Sequence, residues 1–183
     1  TTSRDETARI WNVKTGEEIR SLEHNASVRM ASFDPEGKRL VTCGEDQRAF
    51  VWDLEQGEII TEGPKTFNSV TFSPDGKSIL STGRYDEHAT TWNAETGEPK
   101  FTLEGHLSLV KSAYYSLDGK RVVTASNDNT MRIWDAGTGK ELLNLTAGNC
   151  DLAKFFPNNF TFSICSSSTS NSLEGRGLNL SDL

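Results

Sequence analysis

Four segments of this chain are variants of one sequence of sixteen residues, and this repetition limits the folds that the chain can adopt. The clearest copy is NDNTMRIWDAGTGKEL at residues 127–142, and the others are at 4–19, 45–60 and 85–100. Each copy has an aspartate six residues before its tryptophan and a glycine five residues after it. Successive tryptophans are 41, 40 and 42 residues apart. This period is typical of repeats that form one small β-sheet each, and it excludes the shorter helical repeats.

Short runs of strand-forming residues lie between these marks. β-branched and aromatic residues are concentrated in four consecutive runs within residues 27–62, namely SVRMASF, KRLVTCG, RAFVWDL and EIITE. The sequences DPEGK, SPDGK and SLDGK place a glycine where a tight turn needs a positive φ. Each repeat is therefore predicted to form a four-stranded antiparallel meander. One meander cannot bury both of its faces, so successive copies must stack, and twisted sheets stack most readily around an axis.

Two short motifs carry a resemblance to a known family. A Trp-Asp pair occurs at Trp52 and again at Trp134, and a Gly-His pair ends at His106, 28 residues before the second tryptophan. In these motifs and in its period the chain resembles the WD-repeat family. The resemblance covers residues 1–168. It implies an all-β fold, a WD40-type β-propeller of about four repeat units.

The resemblance also divides the chain into units. Whole blades are expected at about 24–62, 64–103 and 106–145, with partial sets of strands at 1–22 and 150–167. Beyond residue 168 the repeat pattern fades, and the last part of the chain is rich in serine and poor in charge. A disordered tail is therefore predicted at residues 169–183.

Three arrangements of these units are compatible with the sequence. The chain can form an arc of a longer propeller, or two chains can complete one ring. Alternatively, strands from 150–167 can pair with strands from 7–22 and close a ring of four blades. An open arc would expose blade faces and strand edges, which favours self-association.

The polar residues of the repeat have a structural interpretation. In the WD-repeat family a His, a Ser or Thr, an Asp and a Trp form a buried hydrogen-bonded tetrad in each blade. The resemblance implies one complete tetrad, formed by His106, Ser126, Asp128 and Trp134. Incomplete sets are expected at His24, Asp46 and Trp52, where Gly44 replaces the hydroxyl, at Asp86 and Trp92, and at Asp5 and Trp11. A hydrolase triad is the competing interpretation, but a hydrolase needs only one such set, whereas this one recurs.

Composition argues against several other functions. The net charge is −7 and no basic cluster is visible, so neither nucleic acid nor a membrane surface is expected as a partner. Cys43, Cys150 and Cys165 form no CxxC motif, which argues against a disulfide framework or a metal site and favours a cytoplasmic location. Cys43 and Cys165 are predicted to be small buried residues. No phosphate-binding loop is present, so no cofactor is expected.

Binding in a propeller usually involves loops at one face of the ring. The resemblance implies that this face includes the residue before each turn aspartate and positions near the start of each blade. The predicted face residues are Arg4, Ser27, Arg29, Glu45, Thr66, Asn68, Tyr85, Leu109, Lys111, Asn127 and Asp151. This mixture suits a protein or peptide partner, with Tyr85 and Arg29 as anchors. We therefore predict a non-catalytic protein–protein interaction scaffold, or alternatively a docking or regulatory segment of a larger enzyme or signalling protein.

Overall fold

A computed structural model of the chain describes residues 1–63, 69–83, 85–146, 152–155 and 162–165. This part of the chain consists of strands and turns and contains no helix. The strands are β1 (Thr7–Trp11), β2 (Glu18–Glu23), β3 (Val28–Phe33), β4 (Arg39–Gly44), β5 (Ala49–Asp53), β6 (Ile59–Glu62), β7 (Ser69–Phe72), β8 (Ser78–Thr82), β9 (Ala89–Asn93), β10 (Pro99–Leu103), β11 (Val110–Tyr115), β12 (Arg121–Ser126), β13 (Thr130–Asp135), β14 (Glu141–Thr146), β15 (Leu152–Phe155) and β16 (Phe162–Cys165).

The strands form five antiparallel sheets that follow the order of the chain. The second, third and fourth sheets are four-stranded meanders, β3–β6, β7–β10 and β11–β14. The first and fifth sheets have two strands each, β1–β2 and β15–β16. Hairpin turns hold the first two strands of each meander in register. In the fourth sheet Gly119 has a φ of 70° and its N–H donates to the Ser116 carbonyl at 2.9 Å, which closes the turn.

Burial changes regularly across each meander. The second strand is buried almost throughout, as in RLVTCG of β4 and RVVTAS of β12, where only the first residue is half-buried. The fourth strand is mostly exposed or half-buried, as in β6 and β14. Apolar side chains on both faces of the second strand explain this pattern, because each meander has a neighbouring sheet on either side.

Each hydrophobic core lies between two consecutive sheets. β7 packs against β3 and β4, β11 against β7 and β8, and β15 against β11 and β12. Each core contains residues of both of its sheets, for example Leu22 with Trp52, Val51 with Trp92, Leu103 with Trp134, and Ile133 with Ala153. Burying one such tryptophan contributes on the order of 2–3 kcal/mol, so the stability of the fold comes from contacts between neighbours.

The sheets do not close into a ring, and the molecule is an arc of a propeller. Among the described residues β15 pairs with β16 and β1 pairs with β2, with no ladder between the two pairs. The predicted closure of a four-blade ring by these strands is therefore wrong for this structure. β15 packs instead against β11 and β12 of the fourth sheet. The all-β, propeller-type fold is confirmed, and the predicted tail at 169–183 lies outside the described residues.

Candidate functional site

All four repeat tryptophans use the indole N–H in the same way. Each donates to a hydroxyl. For three of them the hydroxyl lies on the strand that precedes the tryptophan's own in the sheet, whereas Trp11 donates to Thr1, which lies before β1 and outside any strand. The pairs are Trp11 with Thr1 at 3.0 Å, Trp52 with Thr42 at 2.7 Å, Trp92 with Ser81 at 3.2 Å and Trp134 with Thr124 at 2.9 Å. Thr42, Ser81 and Thr124 are buried. These bonds satisfy indole donors that would otherwise lack a partner inside the protein.

The fourth sheet extends this contact into a buried network around His106. The Thr124 hydroxyl lies 2.7 Å from His106 Nε2, and His106 Nδ1 lies 2.9 Å from the Asp128 carboxylate. Asp128 also accepts from the N–H groups of Leu107 at 2.9 Å and Thr130 at 2.8 Å. Because Asp128 is an acceptor, the imidazole proton belongs on Nδ1, and Nε2 then accepts from Thr124.

Burial and hydrogen bonding set the charges in this network. Burial lowers the pKa of His106, and its hydrogen bond to Asp128 only partly offsets that effect, so the ring is neutral at neutral pH. Burial raises the pKa of Asp128, but the hydrogen bonds from Thr130, Leu107 and His106 outweigh it and hold the pKa well below its usual value. The network is therefore a neutral histidine bound to a carboxylate.

Ser126 is not the hydroxyl of this network. Its Oγ donates to the Ser108 carbonyl at 2.9 Å and accepts from the Asp128 N–H at 3.1 Å, which fixes the turn after β12. The strand register explains the difference. Trp134 is paired with Val122, so Thr124 is two residues away along β12 and Ser126 is four, or about 13 Å. The indole reaches only the nearer hydroxyl.

The second sheet contains a looser version of the network. Gly44 leaves no hydroxyl at the position expected from the sequence, but Thr42 supplies one to Trp52. His24 Nδ1 lies 3.7 Å from the Asp46 carboxylate, and neither ring nitrogen of His24 has a hydrogen-bond partner among the described residues. The His24 ring instead packs edge-on against Phe50, with 5.2 Å between ring centres. Burial lowers the pKa of His24.

The remaining turn aspartates serve the backbone and lie outside any histidine network. Asp5 accepts from the Thr7 hydroxyl at 2.6 Å and the Thr7 N–H at 3.1 Å. The Asp86 carbonyl accepts from the Val110 N–H at 3.0 Å, which ties the third sheet to the fourth. Trp92 is completely buried, and its indole partner is Ser81. These groups hold turns in place.

The predicted binding face is partly assembled by these same turns. Within the second sheet the Glu45 N–H donates to the Ser27 carbonyl at 2.9 Å, and Arg29 forms an ion pair with Glu45 at 2.5 Å. Within the fourth sheet the Asn127 N–H donates to the Leu109 carbonyl at 2.9 Å. Thr66, Asn68 and Asp151 lie outside the described residues.

Two backbone hydrogen bonds between neighbouring sheets bring pairs of these loops together. The Val28 N–H donates to the Ser3 carbonyl at 3.0 Å, which places the loop of Arg4 beside the start of β3. The bond from Val110 to Asp86 places Tyr85 beside the start of β11, which carries Lys111. Tyr85 is 74% exposed, and Arg4 is also exposed.

One exposed apolar residue near these loops was not singled out in the sequence. Leu107 is 82% exposed although it directly follows the buried His106, and its N–H is held by Asp128 at 2.9 Å. Leu107 therefore presents an apolar side chain to solvent from a backbone position that the Asp128 carboxylate fixes. The signal was available, because an apolar residue between the Gly-His motif and the first strand has no place in the core.

The described residues include no group of three or more His, Cys, Asp or Glu side chains that could hold a metal ion. Cys43 is a free, fully buried cysteine, and burial raises the pKa of its thiol to about 12. It therefore remains a thiol rather than a reactive thiolate. Within the described ranges we find no helix of the length and apolarity needed to cross a membrane.

Comparison with known proteins agrees with this geometry. The family model for the WD domain, G-beta repeat, matches residues 16–53 and 97–135. This chain belongs to the WD-repeat family. The first match contains Thr42, Asp46 and Trp52, and the second contains the whole network around His106. Domains of this family are protein-interaction scaffolds without catalytic activity of their own.

Several curated proteins are similar to this WD-repeat chain. Protein tipD of Dictyostelium discoideum is 35% identical over 119 residues, which are 63% of this chain and 19% of tipD. Serine-threonine kinase receptor-associated protein of Homo sapiens is 31% identical over 137 residues, or 74% of this chain and 39% of that protein. Nuclear distribution protein PAC1 of Arthroderma otae is 28% identical over 159 residues, which are 73% of this chain and 34% of PAC1. The chain thus spans between about a fifth and two fifths of these relatives.

Proposed function

We propose that this WD-repeat chain is a non-catalytic platform that binds protein or peptide partners through the face at the turn aspartates. The observation that carries the proposal is the position of Tyr85 and Leu107. Both are strongly exposed, and both lie next to aspartates whose hydrogen bonds fix the local backbone. Large side chains that remain exposed on a fixed backbone lose little entropy when a partner covers them.

The chemistry of the surface suits a polypeptide. Tyr85 offers an aromatic ring with a hydroxyl, Leu107 offers an apolar contact, and Lys111 and Arg4 offer charges at the edge. Interfaces between proteins typically combine aromatic anchors with a polar rim. With the net charge of −7, we expect this surface to bind neither nucleic acid nor anionic membranes, and we propose a cytoplasmic protein.

The buried network supports a scaffold rather than an enzyme. The His106 side chain is completely shielded from solvent, and both of its ring nitrogens are engaged by Thr124 and Asp128. A general base must reach the proton that it abstracts, and no substrate can approach this ring. The same Trp–hydroxyl contact in the other sheets also supports a role in the fold.

A display library of peptides selected against the purified chain tests the proposal. We expect Tyr85→Ala or Leu107→Ala to weaken the binding of the selected peptides by about tenfold or more, because an anchor residue contributes about 2 kcal/mol to the binding free energy. Val13→Ala is the matched control, because Val13 is 98% exposed but lies in the turn between β1 and β2. Peptides that bind both face variants as tightly as the unaltered chain would show that the site lies elsewhere.

A second candidate function is a docking or regulatory segment of a larger enzyme or signalling protein. The relative from Homo sapiens, whose name describes association with a serine-threonine kinase receptor, favours it. The complete reading frame of the gene tests this alternative. A catalytic domain in the same frame would support the docking or regulatory role. A frame that encodes only further repeats would favour the scaffold.

A further inference from the structure

Arg39 joins the second sheet to the third, at the end where β3 turns into β4 and β7 turns into β8. Its Nε donates to the Asp34 carboxylate at 3.1 Å, and a terminal nitrogen donates to the Gly76 carbonyl at 2.7 Å. The guanidinium also lies over the Phe72 ring, with its carbon 5.2 Å from the ring centre. A carboxylate, a carbonyl and an aromatic face are groups that a guanidinium binds well. Arg39 thus fills the gap between these two sheets.

The third sheet has no arginine at the same position. Arg39 is the first residue of β4 and pairs with Asp53, and Ser78 is the first residue of β8 and pairs with Asn93. The two residues are therefore equivalent in the repeat. The serine side chain is too short to bridge the gap to the fourth sheet in the way that Arg39 bridges the gap to the third.

The surroundings of two turn glycines show the same difference. A Cβ added at Gly76 would lie 3.0 Å from a terminal nitrogen of Arg39. Gly119 is the equivalent glycine of the fourth sheet, and a Cβ added there would have only the Pro74 ring within 4 Å, at 3.6 Å. No guanidinium of the described residues therefore lies beside Gly119.

A cleft of about 440 Å³ lies between the third and fourth sheets at this place, and Ser78 and Gly119 line it from the two sides. Its wall includes Tyr115, which occupies the position of Phe72 in the repeat. Burial raises the pKa of Tyr115, so its ring stays a neutral phenol. The cleft thus combines an aromatic face with a turn carbonyl, as the site of Arg39 does.

Two carboxylates at the rim of the cleft provide negative charge. Ser73 replaces Asp34 in the third sheet, but Asp75 follows two residues later, and Asp118 lies at the position of Asp75 in the fourth sheet. Each carboxylate uses one oxygen to accept from a serine hydroxyl at 2.6 Å, which for Asp118 is that of Ser116. The second oxygen of each accepts no hydrogen bond from the described residues. Both carboxylates can therefore bind a cation.

Lys100 approaches the cleft from β10 and does not reproduce the contacts of Arg39. Its ammonium group donates to the Ser78 hydroxyl at 2.7 Å, and its side chain is exposed. An ammonium is a compact charge, whereas a planar guanidinium can lie flat on a ring and donate in its plane at the same time. The rim carries two carboxylates and this one ammonium, so its charge favours a cation.

From this comparison we infer that the cleft binds an arginine side chain of a partner polypeptide. The guanidinium lies against the Tyr115 ring and donates to the Gly119 carbonyl. Asp75 and Asp118 pair with its charge. These groups correspond to those that already hold an arginine of this chain between the second and third sheets.

The cleft is separate from the binding face proposed above. β8 begins at Ser78 beside the cleft and ends at Thr82, near the turn of Tyr85, so the two sites lie at opposite ends of the third sheet. Gly119 and the exposed Gly137 line the cleft without side chains, which leaves room for the backbone of a partner. A partner in the cleft therefore does not compete with one that covers Tyr85.

Nuclear magnetic resonance of the whole chain tests the inference, with acetyl-Ala-Arg-Ala-amide as the probe. We expect the amide signal of Gly119 to shift saturably, with a dissociation constant of about 1 mM. The Gly76 signal is the internal control and is expected to stay in place, because Arg39 already lies beside it. The same peptide with uncharged citrulline in place of arginine is expected to bind about tenfold more weakly.

Three results of this titration would overturn the inference. The first is a Gly119 signal that does not shift saturably, and the second is equal binding of the citrulline peptide. The third is tighter binding of free arginine than of the peptide, which would assign the cleft to a small molecule.

Variants of the cleft test which groups hold the probe. Ser78→Arg is expected to abolish binding, because the chain then supplies its own guanidinium, and Ser78→Ala is the matched control that is expected to bind within about twofold of the unaltered chain. Asp75→Asn and Asp118→Asn keep an acceptor oxygen for their turns and are each expected to weaken binding by about fivefold. Unchanged binding by Ser78→Arg, or by both asparagine variants, would contradict the inference. The dispersion of the amide signals reports whether each variant is folded.

Discussion

Replacement of Thr124 by valine is the sharpest test of the network that joins His106 to Trp134. Valine has nearly the volume of threonine, so the core keeps its packing and no cavity forms. The change removes the hydroxyl that lies 2.7 Å from His106 Nε2 and 2.9 Å from Trp134 Nε1. Both side chains are buried, so neither nitrogen gains a partner from bulk solvent.

The expected cost follows from these two orphaned groups. Leaving one buried polar group unsatisfied costs about 1–3 kcal/mol, so with two such groups Thr124→Val is expected to lower the free energy of unfolding by about 2–6 kcal/mol. That is a large share of the roughly 5–15 kcal/mol that stabilises a typical domain. Thr102→Val is the control, because Thr102 is exposed on β10 and its replacement is expected to change stability by less than about 0.5 kcal/mol.

Urea unfolding followed by tryptophan fluorescence measures the stability change, and hydrogen exchange of the Trp134 indole N–H measures the local effect. The indole proton is expected to exchange faster in Thr124→Val than in Thr102→Val. Ser126→Ala provides the comparison that decides between the two hydroxyls. If Ser126→Ala proves more destabilising than Thr124→Val, or if the indole exchange rate is unchanged, the network described around Thr124 is wrong.

Two further predictions concern stability. Gly44→Ser is expected to destabilise the chain by about 1–3 kcal/mol, because its Cβ would lie 2.5 Å from the Ser27 carbonyl oxygen, whereas Gly137→Ala, with no contact closer than 3.5 Å, is expected to be neutral in thermal melts. The pKa of His24 is lowered by burial, so folding favours the neutral ring. The stability that the neutral ring contributes is complete above the unfolded pKa of about 6.5 and is lost as the pH falls towards the folded pKa. His24→Phe is therefore expected to flatten this decline when the free energy of unfolding is measured in urea at a series of pH values. An unchanged dependence of that free energy on pH would refute the prediction.

Much of the fold could be predicted from the sequence because the pattern is repeated. The spacing of the tryptophans and the alternation of apolar residues both indicate the same meander. A copy with a weak pattern can therefore be interpreted from the clearer copies. The WD-repeat resemblance and the all-β fold are confirmed. The open arrangement was not predictable, because the repeat pattern reports the strands within each sheet but not the angle between neighbouring sheets.

The site was harder to predict than the fold. Thr124 and Ser126 lie on the same face of β12, and only the register with Trp134 decides which hydroxyl reaches the indole. In the second sheet His24 packs against Phe50 and lies 3.7 Å from Asp46, a difference from His106 that the sequence motif does not show. The assignment of a binding role to Tyr85 and Arg29 stays a prediction.

Because each core is shared by only two neighbouring sheets, the chain should respond to mechanical force one repeat at a time. Pulling on the two ends would detach the terminal sheets first and leave the interior cores intact, since no residue of one core belongs to another. A force–extension trace should then show a series of peaks, each releasing about 40 residues or roughly 14 nm of extended chain.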